Sequence, residues 1–160
     1  MPPAIRAGRR PWIAPRLAGD FLEIRQLPMR VVPCSGETLP SHVDRLAALY
    51  DTSLRSMLVR LGVDETGRWR NYGINLSDQA KRQYAFVSGL LERDVADMLL
   101  FRYAKTLVTS EIWTRPSIGH QWLSFKGSHF CAECLKETGG VWLSSWKLAW
   151  SFACVRHGTF

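Results

Sequence analysis

Cys131-Ala132-Glu133-Cys134 and, nineteen residues further on, Cys154-Val155-Arg156-His157 are two close pairs of soft ligands, each pair spaced by two residues. A spacer of two lets one tight turn aim both ligand atoms at the same ion. Three sulfurs with one imidazole suit a tetrahedral Zn²⁺. Four protein ligands fill that shell and leave no position for an activated water. Cys131, Cys134, Cys154 and His157 are therefore expected to hold one structural zinc ion that stabilises a fold and performs no chemistry. His129, two residues ahead of Cys131, is expected to flank the site, and Cys34, about a hundred residues away, to be a free thiol.

The competing reading is a pair of disulfides, or core cysteines beside an unrelated histidine. Disulfides need an oxidising compartment, and the N-terminus from Met1 to Asp20 carries arginines without an apolar run of signal-peptide length,. No stretch approaches the roughly 18 consecutive apolar residues of a membrane span. A cytoplasmic protein with no membrane contact is the expectation. Catalytic patterns are also missing. A zinc deaminase needs a His-x-Glu element ahead of its cysteine pair and an open coordination position, which Ser128-His129-Phe130-Cys131 does not provide. No GxxxxGK[ST] loop occurs, so ATP use would belong to a partner. The chain is not expected to be an enzyme.

The elements that must position these ligands are mainly helical. At 160 residues there is room for one domain or two small ones,. A hydrophobic content of 46% with seven Trp and seven Phe is enough for burial and argues against wholesale disorder,. Residues 1–30 are rich in Pro, Arg and Gly and read as a basic irregular arm,. Residues 31–110 read as a helical domain, and residues 111–160 as a zinc-binding lobe. The first helix is expected from Pro40-Ser41, with Ser41 as N-cap and Val43, Leu46, Ala47 and Tyr50 at helical spacing,. A second runs from about Leu54 to Leu61 before Gly62,. Ser77 opens a third that ends near Gly89, and a fourth is expected over about Leu91 to Lys105.

Ala85, Gly89 and Val95 fit the spacing of a helix-turn-helix-like pair: a small residue where two helices cross, a Gly in the turn, and a branched apolar residue that buries the second helix,. That second helix opens with Glu92, Arg93, Asp94 and Asp97. Three acids of four make a poor face for the major groove, so the pair is expected to serve architecture or protein contact. Further along, Trp142, Trp146 and Trp150 recur every four residues. Leu148, Phe152 and Cys154 also fall on even positions, so residues 141–153 fit a helix or a strand equally, with the tryptophans expected in a core,.

The formal charge of +7, with a pI near 9.6, allows a polyanionic partner, although the arginines are dispersed,. Arg9, Arg10, Arg16, Arg93, Arg102 and Lys105 are the candidate contacts to nucleic acid or to a protein partner. One basic stripe among them would favour direct DNA binding, and scatter would favour protein contact.

With these residues in hand, the chain resembles the TniQ family, target-selection proteins of Tn7-like transposons. The resemblance runs over roughly Leu27 to Phe160. It rests on Leu27-Pro28-Met29-Arg30, Pro33, Gly36-Glu37-Thr38-Leu39 and Ser41 followed by Arg45-Leu46-Ala47, and on the helical segment from about Leu76 to Tyr103. Its most specific part is Phe130-Cys131-Ala132-Glu133-Cys134-Leu135, Trp146-Lys147-Leu148 and Cys154-Val155-Arg156-His157-Gly158. Family members usually have Ser at Thr38 and Trp near His42, and they continue past the His-Gly pair into a second Cys-x-x-Cys ribbon. A short or truncated member is therefore expected. The resemblance implies a non-enzymatic adaptor in DNA transposition that couples target-site recognition to an AAA+ transposition ATPase (TnsC-like). DNA would be met directly or through partners, in some members through an RNA-guided targeting complex. The alternative is a stand-alone zinc-stabilised helix-turn-helix DNA-binding regulator.

Overall fold

Thr38, three residues ahead of the expected cap, opens the first helix. The computed structural model describes residues 24–63, 72–104, 123 and 127–158. Helix α1 spans Leu39–Leu49, with the Thr38 side chain accepting from the Ser41 amide at 3.3 Å. Pro40 sits in the first turn, where its missing N–H costs nothing,. Ser41 is thereby freed to use its hydroxyl elsewhere. The next two helices, α2 (Leu54–Arg60) and α3 (Asp78–Ser88), are opened by Ser53 and Ser77, whose side chains accept from Ser56 N at 3.1 Å and Ala80 N at 3.2 Å,. Helix α3 starts at Ser77 and stops at Gly89, as expected.

Gly89 takes φ +69°, which turns the chain into α4 (Glu92–Asp97),. The α4 start is tied by Asp94 Oδ2, which accepts from Leu91 N at 3.2 Å. Ala85 and Val95 are buried between the two helices, so the expected helical pair is present. Its second helix is shorter than the periodicity over residues 91–105 predicts. The helix breaks at Met98–Leu99 because tertiary backbone bonds take over. Leu100 N donates to Gly73 O at 3.1 Å and Phe101 N to Ile74 O at 2.9 Å, while Met98 O accepts from Leu39 N at 3.0 Å. The chain resumes as a 3-10 turn over Leu100–Tyr103.

One apolar face from each helix builds the main core: Leu39, Val43, Leu46 and Ala47 of α1, Met57 and Leu58 of α2, Tyr84, Ala85 and Val87 of α3, and Val95 of α4. Fully burying a side chain of the Val, Leu or Met class is worth about 1.5–3 kcal/mol, so these faces supply most of the driving force. A strap of irregular backbone before α1 lies against the same core. Leu27 N donates to Val87 O at 2.7 Å. Met29 exchanges two bonds with the Tyr50 hydroxyl, at 2.7 and 3.0 Å.

In the C-terminal part, α5 (Ala132–Thr138) ends at Gly139 and is followed by a 3-10 turn over Ser144–Lys147. The described residues are mainly helical and contain no strand, only the isolated antiparallel bridges Glu37–Leu143 and Leu123–Leu148. Residues 141–153 are thus neither the helix nor the strand that their spacing allows. Beyond the short 3-10 turn, several of their backbone groups bond to distant segments: Thr38 N to Trp142 O at 2.8 Å, Ser144 N to Gly36 O at 2.8 Å and His129 N to Trp146 O at 3.1 Å. Without a regular ladder the tryptophans share no single face. Trp146 is buried, Trp142 half-buried and Trp150 exposed, so the expectation that all three enter a core fails for Trp150.

The joint between α1 and this C-terminal part is the turn Gly36-Glu37-Thr38. Gly36 has φ +76°, a conformation that favours glycine,. Glu37 is fully buried, and its carboxylate accepts from Cys34 N at 2.9 Å and Ser41 Oγ at 2.9 Å and pairs with Arg45 at 2.7 Å. A buried carboxylate is tolerated only with such partners. Ser41 Oγ in turn accepts from Trp142 N at 3.0 Å, so one side chain links the carboxylate to the C-terminal part.

Candidate metal centre

Cys131 occupies the N-cap position of α5 and Cys134 its first turn, so the helix start places both sulfurs on one side. Cys154 and His157 lie on a tight turn closed by Gly158 N donating to Cys154 O at 2.7 Å. The two turns face each other. The four candidate ligand atoms all lie within 4.8 Å of one another. Cys134 Sγ is 3.5 Å from Cys154 Sγ, and His157 Nδ1 is 3.3 Å from Cys131 Sγ, 3.4 Å from Cys134 Sγ and 3.6 Å from Cys154 Sγ. A tetrahedron with metal bonds of about 2.1–2.3 Å has edges of about 3.6–3.8 Å. The donor set fits one ion, and this buried group can hold a metal. No disulfide joins these cysteines, so the paired-disulfide reading falls.

The electrostatics of the cluster call for a cation. Burial pushes the Cys134 thiol up, and its hydrogen bonds to Cys154 and Cys131 add to the effect. Burial also opposes ionisation of Cys154, but the backbone N–H groups of Arg156 and His157 aim at its sulfur and pull it down. His157 is raised by its hydrogen bonds to the Cys154 and Cys131 sulfurs. A divalent ion would neutralise the negative charge of thiolate ligands gathered at this distance.

Aromatic side chains pack against one side of the cluster. Trp146 is buried with the three cysteines, Trp142 meets it edge-on at 5.4 Å, and Phe130 lies 5.6 Å from Trp142. Apolar neighbours of this kind lower the dielectric around the ligands. Outside the ligands, His157 Nε2 lies 3.2 Å from Glu137 Oε1, and Arg156 pairs with the same carboxylate at 2.9 Å. A carboxylate behind the imidazole fixes ring orientation and leaves Nδ1 free to ligate. Sequence reasoning did not single out Glu137. Its signal was an acid three residues after Cys134, one turn along the same helix.

His129 N bonds Trp146 O, and the residue stays outside the cluster as expected; Cys34 is an exposed free thiol. Of the proposed nucleic-acid or partner contacts, Arg9, Arg10, Arg16 and Lys105 lie outside the described residues. Arg93 is exposed on α4, 3.7 Å from Asp94. Arg102 donates to Asp97 O at 2.7 Å and lies over the Tyr103 ring. Both are engaged with near neighbours, and neither belongs to the metal cluster. No helix among the described residues is long and apolar enough to cross a membrane.

With this geometry established, comparison with known proteins matches the chain to the TniQ family model over residues 28–160. No curated protein and no solved structure gives a significant match.

Proposed function

The chain belongs to the TniQ family, whose members are associated with transposition, and from that premise we propose that it is a non-enzymatic adaptor coupling target-site recognition to an AAA+ transposition ATPase. The family match across residues 28–160 carries this reading. Cys131, Cys134, Cys154 and His157 hold one Zn²⁺, which has a structural role because four ligands close the shell,. The zinc-bearing part then serves as a platform tied to the helical body through the Gly36-Glu37-Thr38 turn. The domain division follows the same lines, with a basic arm over residues 1–30, a helical domain over 31–110 and the zinc lobe over 111–160.

Protein contact is favoured over base reading by the composition of α4. Arg93 and Arg102 are each accompanied by an acidic neighbour or its backbone, and Glu92, Asp94 and Asp97 share the helix. A second reading, the zinc-stabilised DNA-binding regulator, is favoured by the α3–α4 pair with Gly89 in its turn. Co-sedimentation of the zinc-loaded protein with duplex DNA separates the two, run with and without an AAA+ transposition ATPase. Pelleting only with the ATPase is expected. Pelleting with DNA alone, lost steeply with salt, would overturn the adaptor reading in favour of the regulator.

A further inference from the structure

Where the two parts of the molecule meet, a cleft of about 600 Å³ opens, with Pro40 and Asp44 of α1, Tyr72, Ile74 and Leu100 on the helical side and Trp142 on the other. Three charged side chains line it, and their states differ. Arg45 is already paired with Glu37 at 2.7 Å, and the Lys147 ammonium donates to Gly127 O at 2.8 Å. The Asp44 carboxylate has no hydrogen-bond or ion-pair partner among the described residues. It is nonetheless close enough to Tyr72 for its charge to add to the burial that pushes that phenol up to about 12. An unpartnered carboxylate in a cleft that Tyr72 and Trp142 also line is complementary to a cation. The carboxylate supplies the counter-charge, the ring faces favour a guanidinium or ammonium, and the apolar walls accept the methylene stem.

We infer that this cleft receives an arginine or lysine side chain presented by a partner protein, with Asp44 as the recognising group and Tyr72 and Trp142 as walls. The inference extends the adaptor reading by giving one protein contact a chemistry.

The test uses the full zinc-loaded chain and no ATPase, so it can fail while the adaptor reading stands. Acetyl-Ala-Arg-Ala-amide and acetyl-Ala-Glu-Ala-amide are titrated while the indole N–H resonance of Trp142, assigned through Trp142→Phe, is followed by NMR. The arginine peptide is expected to shift the resonance saturably and the glutamate peptide not to. Asp44→Asn, which keeps the size of an exposed side chain and should leave the fold intact, is expected to weaken binding about tenfold, the loss of one ion pair of about 1.4 kcal/mol. Equal binding by Asp44→Asn, or equal shifts by both peptides, would overturn the inference. Preferential binding of the glutamate peptide would overturn it and assign recognition to Lys147. Self-association of the wild type in sedimentation velocity, lost in Asp44→Asn, would overturn it in favour of a second copy.

Discussion

His42 has no exposure to solvent, and both its ring nitrogens are used. Nε2 lies 2.9 Å from Val31 O, which can only accept, so the ring carries its proton there,. Nδ1 then accepts from the Tyr84 hydroxyl at 2.7 Å. Desolvation holds the imidazole below its ordinary value, outweighing the raising effects of the Val31 carbonyl and the Glu37 charge,. A folded-state value below the unfolded one means that the unfolded chain takes up the proton first as pH falls. The stabilisation from neutral His42 is therefore full above about pH 6.5 and is lost as pH drops through the lowered value. Thermal melts of the zinc-loaded wild type at pH 7.5 and 5.5 should show a loss of stability that is smaller in His42→Gln. Identical losses in the two proteins would show that His42 does not titrate against the fold. The resemblance placed a packed aromatic here, and its partners were not legible: Tyr84 is 42 residues away and Val31 is eleven, beyond any local spacing rule.

The Gly36-Glu37-Thr38 turn is where one element organises two others. Glu37 bonds Arg45 and Ser41 of α1, Thr38 caps that helix, and the turn's backbone reaches Trp142 and Ser144. Glu37→Ala removes the acceptor for three donors at once. Arg45 is about one-third exposed and can recover hydration, so the cost falls at the low end for a broken buried pair, about 3 kcal/mol,. Urea unfolding would show it as a lower midpoint with an unchanged slope, and a change below about 0.5 kcal/mol, ordinary for a surface site, would contradict the role assigned to the carboxylate. At this scale the sequence was readable where local chemistry decides. Ser77 and Gly89 bounded α3 as capping and glycine rules require. It misled where tertiary backbone bonds decide. Leu100 and Phe101 leave the helical ladder for Gly73 and Ile74, and Trp142 and Ser144 pair with a turn about a hundred residues earlier. Nothing in hydrophobic period encodes such pairings. Ser41 was misread because a hydroxyl one turn after a better-placed Thr38 looks like a cap in isolation.

At the scale of the whole molecule, the helical body and the cysteine cluster are joined through the Gly36-Glu37-Thr38 turn and Ser41. Besides Trp146, the cluster's buried members are the cysteines themselves. A structural zinc held by these ligands would contribute on the order of 10 kcal/mol or more. That these four residues meet in one cluster was legible because ligand chemistry fixes their types and the turns fix their spacing. Glu137 and the packed aromatic side chains were less so, because each is defined by a neighbour that only the fold supplies. The most direct test of the zinc-closed platform is the metal content of the purified full chain and of Cys134→Ser, measured by elemental analysis after exhaustive dialysis. We predict one zinc per wild-type chain and almost none in the variant, since an incomplete shell gives up most of the affinity. Full zinc occupancy in Cys134→Ser, or a folded wild type without any bound metal, would contradict it.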